Sequence, residues 1–356
     1  MTKIVTFYNH KGGVSKTTSI FNLAHLLAEK KKKTLVVDAD PQCNITEILL
    51  SPVIDTLDEK QLNTGSDLDI PGTSLLDVLK PRIEGDMSSI RIDDIVVNEI
   101  NPYLHLLKGD VSLSSIEDAL AEAHTQRFST KTHEKKTYVA VADFLNRFGA
   151  AGEYDYILID VGPSSGALTR TCFLSCDAFF IPTAPDRFNV QAIHTLAKIL
   201  ERWLEEHQQI YEQFLSLGLP VKRGKPQFLG TTVQQFKRSN KRPKPGFQMW
   251  MNRIPQSVEK KLFPVLKRFS TSEVDLTSGL TSSQIAATEI SDFGSLAPLM
   301  QETGKAVFQF SRQDTIIITE SGSPWGGSTW LDGQARMEQF KSEFEKLVTR
   351  LELITK

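Results

Sequence analysis

The chain has 356 residues, and none of its apolar runs approaches the ~18 residues of a membrane-spanning helix. Its opening, M-T-K-I-V-T, carries no signal-peptide pattern. Cysteine is scarce, and Cys43, Cys172 and Cys176 make no disulfide framework. Cys172 and Cys176 stand one helical turn apart, a spacing that suits a shared metal. No second ligand pair accompanies them, so small buried residues are the expectation. No tyrosine follows Tyr211, and neither an internal repeat nor a low-complexity tract is visible. Neither sign of charge dominates: the net of −2 points by itself to no polyionic partner. These absences set aside a membrane protein, a disulfide-stapled domain and a repeat array, and the expectation is a cytoplasmic protein. What is present, 40% hydrophobic and 24% charged residues, suffices for one large α/β domain or two smaller ones.

One stretch organises the rest. Tyr8 to Thr18 reads Y-N-H-K-G-G-V-S-K-T-T, between an apolar run over 4–8 and a segment of helical period over 17–30. A glycine turn from a strand into a helix that opens Lys-Thr-Thr is built to hold phosphate. Gly12 and Gly13 let the backbone approach an anion, and the first helical amides are unpaired where the dipole favours negative charge. Lys16 supplies a cation for β/γ-phosphates, and the Thr17 hydroxyl can ligate Mg²⁺. Two further apolar runs end in acid: 34–38 (T-L-V-V-D), continuing as Asp38-Ala39-Asp40-Pro41-Gln42, and 154–160 (Y-D-Y-I-L-I-D). Carboxylates at strand C-termini beside a phosphate loop face the ligand crevice of a doubly wound sheet.

Elsewhere the pattern is looser. Residues 51–100 read as an elaborated connection with one short helix near 74–79. Strands are expected at 103–107 and 228–233, a strand and loop at 177–185, and helices at 112–123, 138–148 and 190–204, with 126–136 polar and exposed. Lys30 to Lys33 suit a helix C-terminus and need no partner. Residues 222–268 hold thirteen Lys and Arg against the single acid Glu259, a net of +12 that leaves −14 on the rest of the chain. That asymmetry fits a polyanion, with Lys237, Arg238, Lys241, Arg242 and Lys244 at its centre; a solvated face is the other reading. No base-reading module is visible, so contact with DNA is expected through phosphates, without sequence preference. Phe247, Trp250 and Phe263 are expected to pack rather than stack on bases. The S-G-S-P-W-G-G-S-T-W loop, 321–330, either anchors a partner or folds back on the core. Met337, Phe340, Phe344, Leu347, Val348 and Leu351 share one helical face.

Residues 11–18, K-G-G-V-S-K-T-T, resemble the deviant Walker A motif, K-G-G-x-[GS]-K-T-T, of the ParA/MinD family of P-loop ATPases. Members usually carry glycine where Ser15 stands. D-A-D-P-Q (38–42) resembles the family's switch I, 154–160 its Walker B strand with Gly162-Pro163-Ser164 as switch II, and 292–308 its helix, G-K turn and strand. The resemblance implies an α/β fold: a doubly wound, mostly parallel sheet flanked by helices, of P-loop NTPase type. The expectation is one domain over 1–356 with insertions at about 51–100 and 205–290 and a helix at 334–355 docked on the core. It implies ATP and Mg²⁺ as cofactors. Lys11, Gly12, Gly13, Val14, Ser15, Lys16, Thr17 and Thr18 would bind nucleotide; Thr17, Asp38 and Asp160 would lie at the metal. Lys11, Lys16 and Asp40 would be catalytic, Asp40 by positioning water and Lys11 by reaching a partner's nucleotide across an ATP-state homodimer. Among the branches, the partition one fits the basic segment best. It implies a weak ATPase, associated with the nucleoid, that segregates or positions a plasmid, chromosome region or other cargo with a ParB-like or other adaptor and no membrane. A regulatory switch gating a partner effector, and an ATP-dependent metabolic ligase of the same fold, are the alternatives.

Overall fold

The computed structural model describes residues 1–64, 69–239 and 242–354. The strands among them are β1 (Lys3–Phe7), β2 (Thr34–Ala39), β3 (Asn98–Asn101), β4 (Leu104–Leu107), β5 (Tyr156–Val161), β6 (Ala178–Thr183), β7 (Gln227–Val233), the two-residue β8 (Arg238–Ser239) and β9 (Arg242–Pro243), and β10 (Ala286–Glu289). The helices are α1 (Lys16–Glu29), α2 (Asn44–Leu49), α3 (Ser51–Thr64), α4 (Leu75–Ile83), α5 (Glu117–Thr125), α6 (Thr132–Ala151), α7 (Ala167–Ser175), α8 (Arg187–Ser216), α9 (Pro245–Ser257), α10 (Phe263–Phe269), α11 (Leu296–Thr303) and α12 (Gly327–Leu351).

Eight strands form one sheet in the order β10-β7-β6-β1-β5-β2-β4-β3, parallel except for the edge pair β3–β4. The central strands are buried on both faces, which is why they read as unbroken apolar runs. Alternation along the strands sorts the core into two layers. Ile4, Leu35, Val37, Ile157 and Ile159 face a layer with α4 to α10. Val5, Phe7, Val36 and Leu158 face α1, α2, α11 and α12 on the other side. The chain leaves β1 toward β2 on one side and reaches β6 on the other, so the strand order reverses at β1. The crevice at the C-terminal end of β1 is therefore where such a sheet binds ligands.

Several expectations need correction. Residues 51–100 carry two α-helices, α3 and α4, and strand β3. The first helix has no buried residue, so no periodic apolar face announces it. The span 205–290 includes β7 and β10, which belong to the main sheet. Within 126–136, α6 already begins at Thr132 and Lys135 is buried. No strand forms at 306–308, because the Val307 amide donates to Asn22 Oδ1 (2.8 Å) and the Ala306 amide to Gln309 Oε1 (3.2 Å). The terminal helix is α12, longer at its start than 334–355; residue 355 lies outside the described residues. Other expectations hold: Cys43, Cys172 and Cys176 are buried free thiols, and of the two readings of 321–330 the structure has Trp325 and Trp330 folded back against the α12 core.

Candidate nucleotide-binding site

The loop after β1 is held by its own side chains. Asn9 Oδ1 accepts the Lys11 amide (3.0 Å), and Asn9 Nδ2 donates to the Pro182 carbonyl at the end of β6 (2.8 Å). Gly13 and Ser15 both have left-handed backbone, φ 66° and 63°. Ser15 is also the residue before the first turn of α1, without a side-chain cap. The family's usual glycine at this position is thus explained by its backbone conformation, which an L side chain opposes by ~1 kcal/mol. Ser15→Gly is expected to raise stability by about 0.5–1 kcal/mol, a Tm gain of about 1–2 °C in a thermal melt. A lower Tm would show that the Ser15 side chain contributes more than its backbone costs.

Lys16 is buried, and its Nζ donates to the carbonyls of Asn9 (3.3 Å) and Lys11 (3.1 Å). Burial lowers its pKa, opposed by the carboxylates of Asp160 and Asp40. The Lys11 side chain turns outward from the loop. Its Nζ lies 5.8 Å from the ring centroid of Phe188, which is 67% exposed. His10, in the place of a glycine of the general pattern, is held below the usual imidazole range by burial and then by Lys11 and Lys16.

Three carboxylates converge on this loop. Asp38 and Asp160 are register partners on β2 and β5. Asp160 is fully buried, and neither of its oxygens has a hydrogen-bond partner among the described residues. Burial pushes its pKa well above the ordinary 3.8, and Asp38 and Asp40 push the same way. The Thr17 hydroxyl is near enough to favour the charged form without closing a hydrogen bond. A buried, unsatisfied carboxylate beside a phosphate loop fits a cation. Asp38 differs: Oδ1 accepts the Asp40 amide (3.1 Å), and Oδ2 accepts the Thr46 amide (3.2 Å) and hydroxyl (2.6 Å). Burial raises its pKa to about 6 against those bonds. Its oxygens order the end of β2 and the start of α2. Asp40 stands over Gly162, where a Cβ would come within 3.1 Å of Asp40 Oδ1. Switch II lies alongside: Pro163 is 3.7 Å from the Cβ position of Gly12, and Tyr8 OH donates to the Ser164 carbonyl (3.2 Å). Among the described residues no three His, Cys, Asp or Glu make a metal site alone, so phosphate or water would have to complete the shell.

The sequence reading missed several supports. Thr46 Oγ1 accepts the Gly109 amide (2.9 Å) while donating to Asp38, and a Cβ on Gly109 would strike the Asp38 carboxylate at 2.8 Å. At the end of β7, Gln235 Nε2 donates to the Gly13 carbonyl and lies 3.4 Å from Ser15 Oγ, while Gln234 Nε2 donates to Ser19 Oγ. Only the Gly109 position, a glycine at a strand end, offered a local signal.

The basic segment forms the β8–β9 ladder, α9, one π-helical turn (Val258–Leu262) and α10. Lys237, Arg242 and Lys244 are exposed. Arg238 is not free: it donates to the Glu289 carbonyl (3.0 Å) and lies 3.7 Å from Glu343. Lys241 lies outside the described residues. Lys222, Arg223 and Arg268 are also paired with acids. Within 222–268, the exposed cations without an acidic partner among the described residues are Lys237, Arg242, Lys244, Arg253, Lys260, Lys261 and Lys267. Phe247 and Phe263 pack on the core, and Trp250 carries the Arg253 guanidinium on its ring (4.8 Å). Among the described residues no helix is long and apolar enough to cross a membrane.

Residues 2–212 match the family model of the AAA domain. The chromosome partitioning protein ParA of Caulobacter vibrioides is 28% identical over 200 residues, 56% of this chain and 62% of that protein, so the match spans less than two thirds of the relative. A protein from Corynebacterium diphtheriae superposes with TM-score 0.63 at 23% identity, covering 85% of this chain and 97% of the other. A Borrelia burgdorferi protein assigned to plasmid partition and solved with AMPPNP superposes with TM-score 0.51 at 16% identity, covering 99% and 98%. The two structural likenesses carry the fold. With the family model, the ParA relative and the loop geometry together, the chain belongs to this AAA-domain family and, within it, to the ParA-type ATPases.

Proposed function

We propose that the chain binds Mg²⁺-ATP between residues 11–18 and Asp160 and pairs with a second copy in the ATP state. The dimer then holds DNA without sequence preference. Adaptor-stimulated hydrolysis would segregate or position a plasmid, a chromosome region or other cargo. The observation that carries the reading is Asp160: a fully buried carboxylate with no hydrogen-bond partner among the described residues, near Thr17 of the phosphate loop. Evolved interiors leave such a group uncompensated where a ligand compensates it. Thr17 and Asp160 would hold the magnesium, which when bound offsets phosphate charge. Lys16 and the loop amides would bind the phosphates, Asp38 would keep switch I in place, and Asp40 would orient water. Lys11 supports the dimer, because its side chain leaves its own loop for an exposed aromatic ring.

DNA retention with and without Mg²⁺-ATP, at rising salt, tests the reading. Retention is expected to strengthen with Mg²⁺-ATP and should fall steeply with salt on every sequence. Arg242→Glu with Lys244→Glu should weaken it by about 10², uniformly across sequences, and lower the salt slope by about 2. ATP-loaded protein that ignores DNA at low salt would remove the DNA step and favour a switch acting on a protein partner.

A further inference from the structure

We infer that Gln235 is a positioning residue that joins the phosphate loop to the basic segment, so that the nucleotide state is felt at residues 236–262. The inference rests on the reading above for what the segment binds, but its geometry stands alone. Gln235 is exposed and has left-handed backbone, φ 60°. For a residue of its size that conformation is strained and marks a position that its surroundings hold in place. What holds it is the loop: its amide nitrogen donates to the Gly13 carbonyl and approaches Ser15 Oγ, the two left-handed positions of the phosphate cradle. Gln234 beside it donates to Ser19 Oγ in the first turns of α1.

The next residue carries the position onward. Phe236 is fully buried, its carbonyl accepts the Asp292 amide (3.0 Å), and its ring lies 6.5 Å from Phe247 on α9. The Arg238 guanidinium lies 5.6 Å over the same ring, and Arg238 is tied to Glu289 and Glu343. Five consecutive residues thus link the loop, the core and the start of the basic surface. Lys237 sits between the two anchors with its side chain exposed. Phosphate entering the cradle acts on the Gly13–Ser15 backbone, and the Gln235 amide is what β7 offers that backbone. A displaced Gln235 moves Phe236 in its socket and with it the N-terminal end of α9. The π-helical turn that follows, a geometry less regular than α, lies between α9 and α10.

Gln235→Glu tests this, since it keeps the shape and removes the N–H donor. Gln235→Gly, which removes the side chain and the backbone strain together, is the second variant. Two measurements are made on the full chain with Mg²⁺ and a non-hydrolysable ATP analogue: DNA retention, and hydrogen exchange of peptides covering 236–262. In the wild type the analogue is expected to slow exchange there and to raise DNA affinity about tenfold. In both variants the analogue still binds, with affinity lowered about three- to fivefold, while the exchange response and the DNA enhancement each shrink to less than about twofold. If both responses persist in both variants, the coupling through Gln235 is wrong. If the wild type shows the exchange response, the variants lose it, and no protein binds DNA, the coupling stands and only the DNA reading falls. If nucleotide leaves exchange at 236–262 unchanged in the wild type, the coupling is overturned whatever DNA does.

Discussion

Asp160→Asn is expected to make the protein more stable while ending Mg²⁺-dependent turnover. The carboxylate lies fully buried beside Asp38 and Asp40, with no hydrogen-bond partner among the described residues. An unpaired charge there opposes folding, and a neutral amide of the same shape relieves that by about 1–2 kcal/mol, or about 2–4 °C in Tm. The sign of the pH dependence follows. Asp160 is protonated more readily folded than unfolded, so between 3.8 and its raised folded value the folded state binds the extra proton. Stability from this group therefore falls as pH rises through that window, and the full penalty is present above it. Asp38 behaves alike between 3.8 and about 6. The Tm gap between variant and wild type should vanish in acid and widen as pH rises. Turnover should fall at least about 10²-fold, and nucleotide affinity should lose its Mg²⁺ dependence. A Tm below wild type at neutral pH would mean that Asp160 holds the fold together rather than awaiting a ligand.

The parts legible in the sequence were those fixed by short-range pattern. β1, β2, β5, β6 and β7 are buried apolar runs, and the loop between β1 and α1 has its glycines, lysine and threonine within eleven residues. The strand-end acids Asp38 and Asp160 showed for the same reason. What did not show depends on distance along the chain. Thr46, Gly109 and Gln235 reach the site from 8 to 222 residues away, and nothing in the neighbours of Thr46 or Gln235 distinguishes them. Helix α3 stayed hidden because it buries no residue, and the expected strand at 306–308 failed because side-chain acceptors take its amides. The charge run overstated its free surface: Lys222, Arg223, Arg238 and Arg268 are used in pairs within the fold. Composition counts charges, but only packing says which of them remain to meet a partner.

Lys11→Ala is expected to cut turnover by about 10²–10³ while leaving the affinity of the monomer for ATP within about threefold. Two features separate those effects. The Lys11 amide is held by Asn9 Oδ1, and that bond does not involve the side chain, so the loop keeps its shape in the variant. The ammonium lies over Phe188 at the rim, while Lys16 occupies the interior of the loop. In the proposed dimer this places Lys11 to reach the nucleotide of the second copy, where it would offset charge that develops on the phosphates during transfer. A mixing experiment distinguishes reach across the dimer from action within one chain. Lys11→Ala retains the ability to hold ATP and lacks the reaching cation. Lys16→Ala retains Lys11 and loses its own phosphate contact. Combined, the two inactive proteins should recover turnover that neither has alone, because a mixed dimer contains one complete site. No recovery, with dimerisation of the mixture shown by light scattering, would place the Lys11 effect within its own chain. The cation on the Phe188 ring would then be a surface contact of ordinary strength, about 0.5–1 kcal/mol.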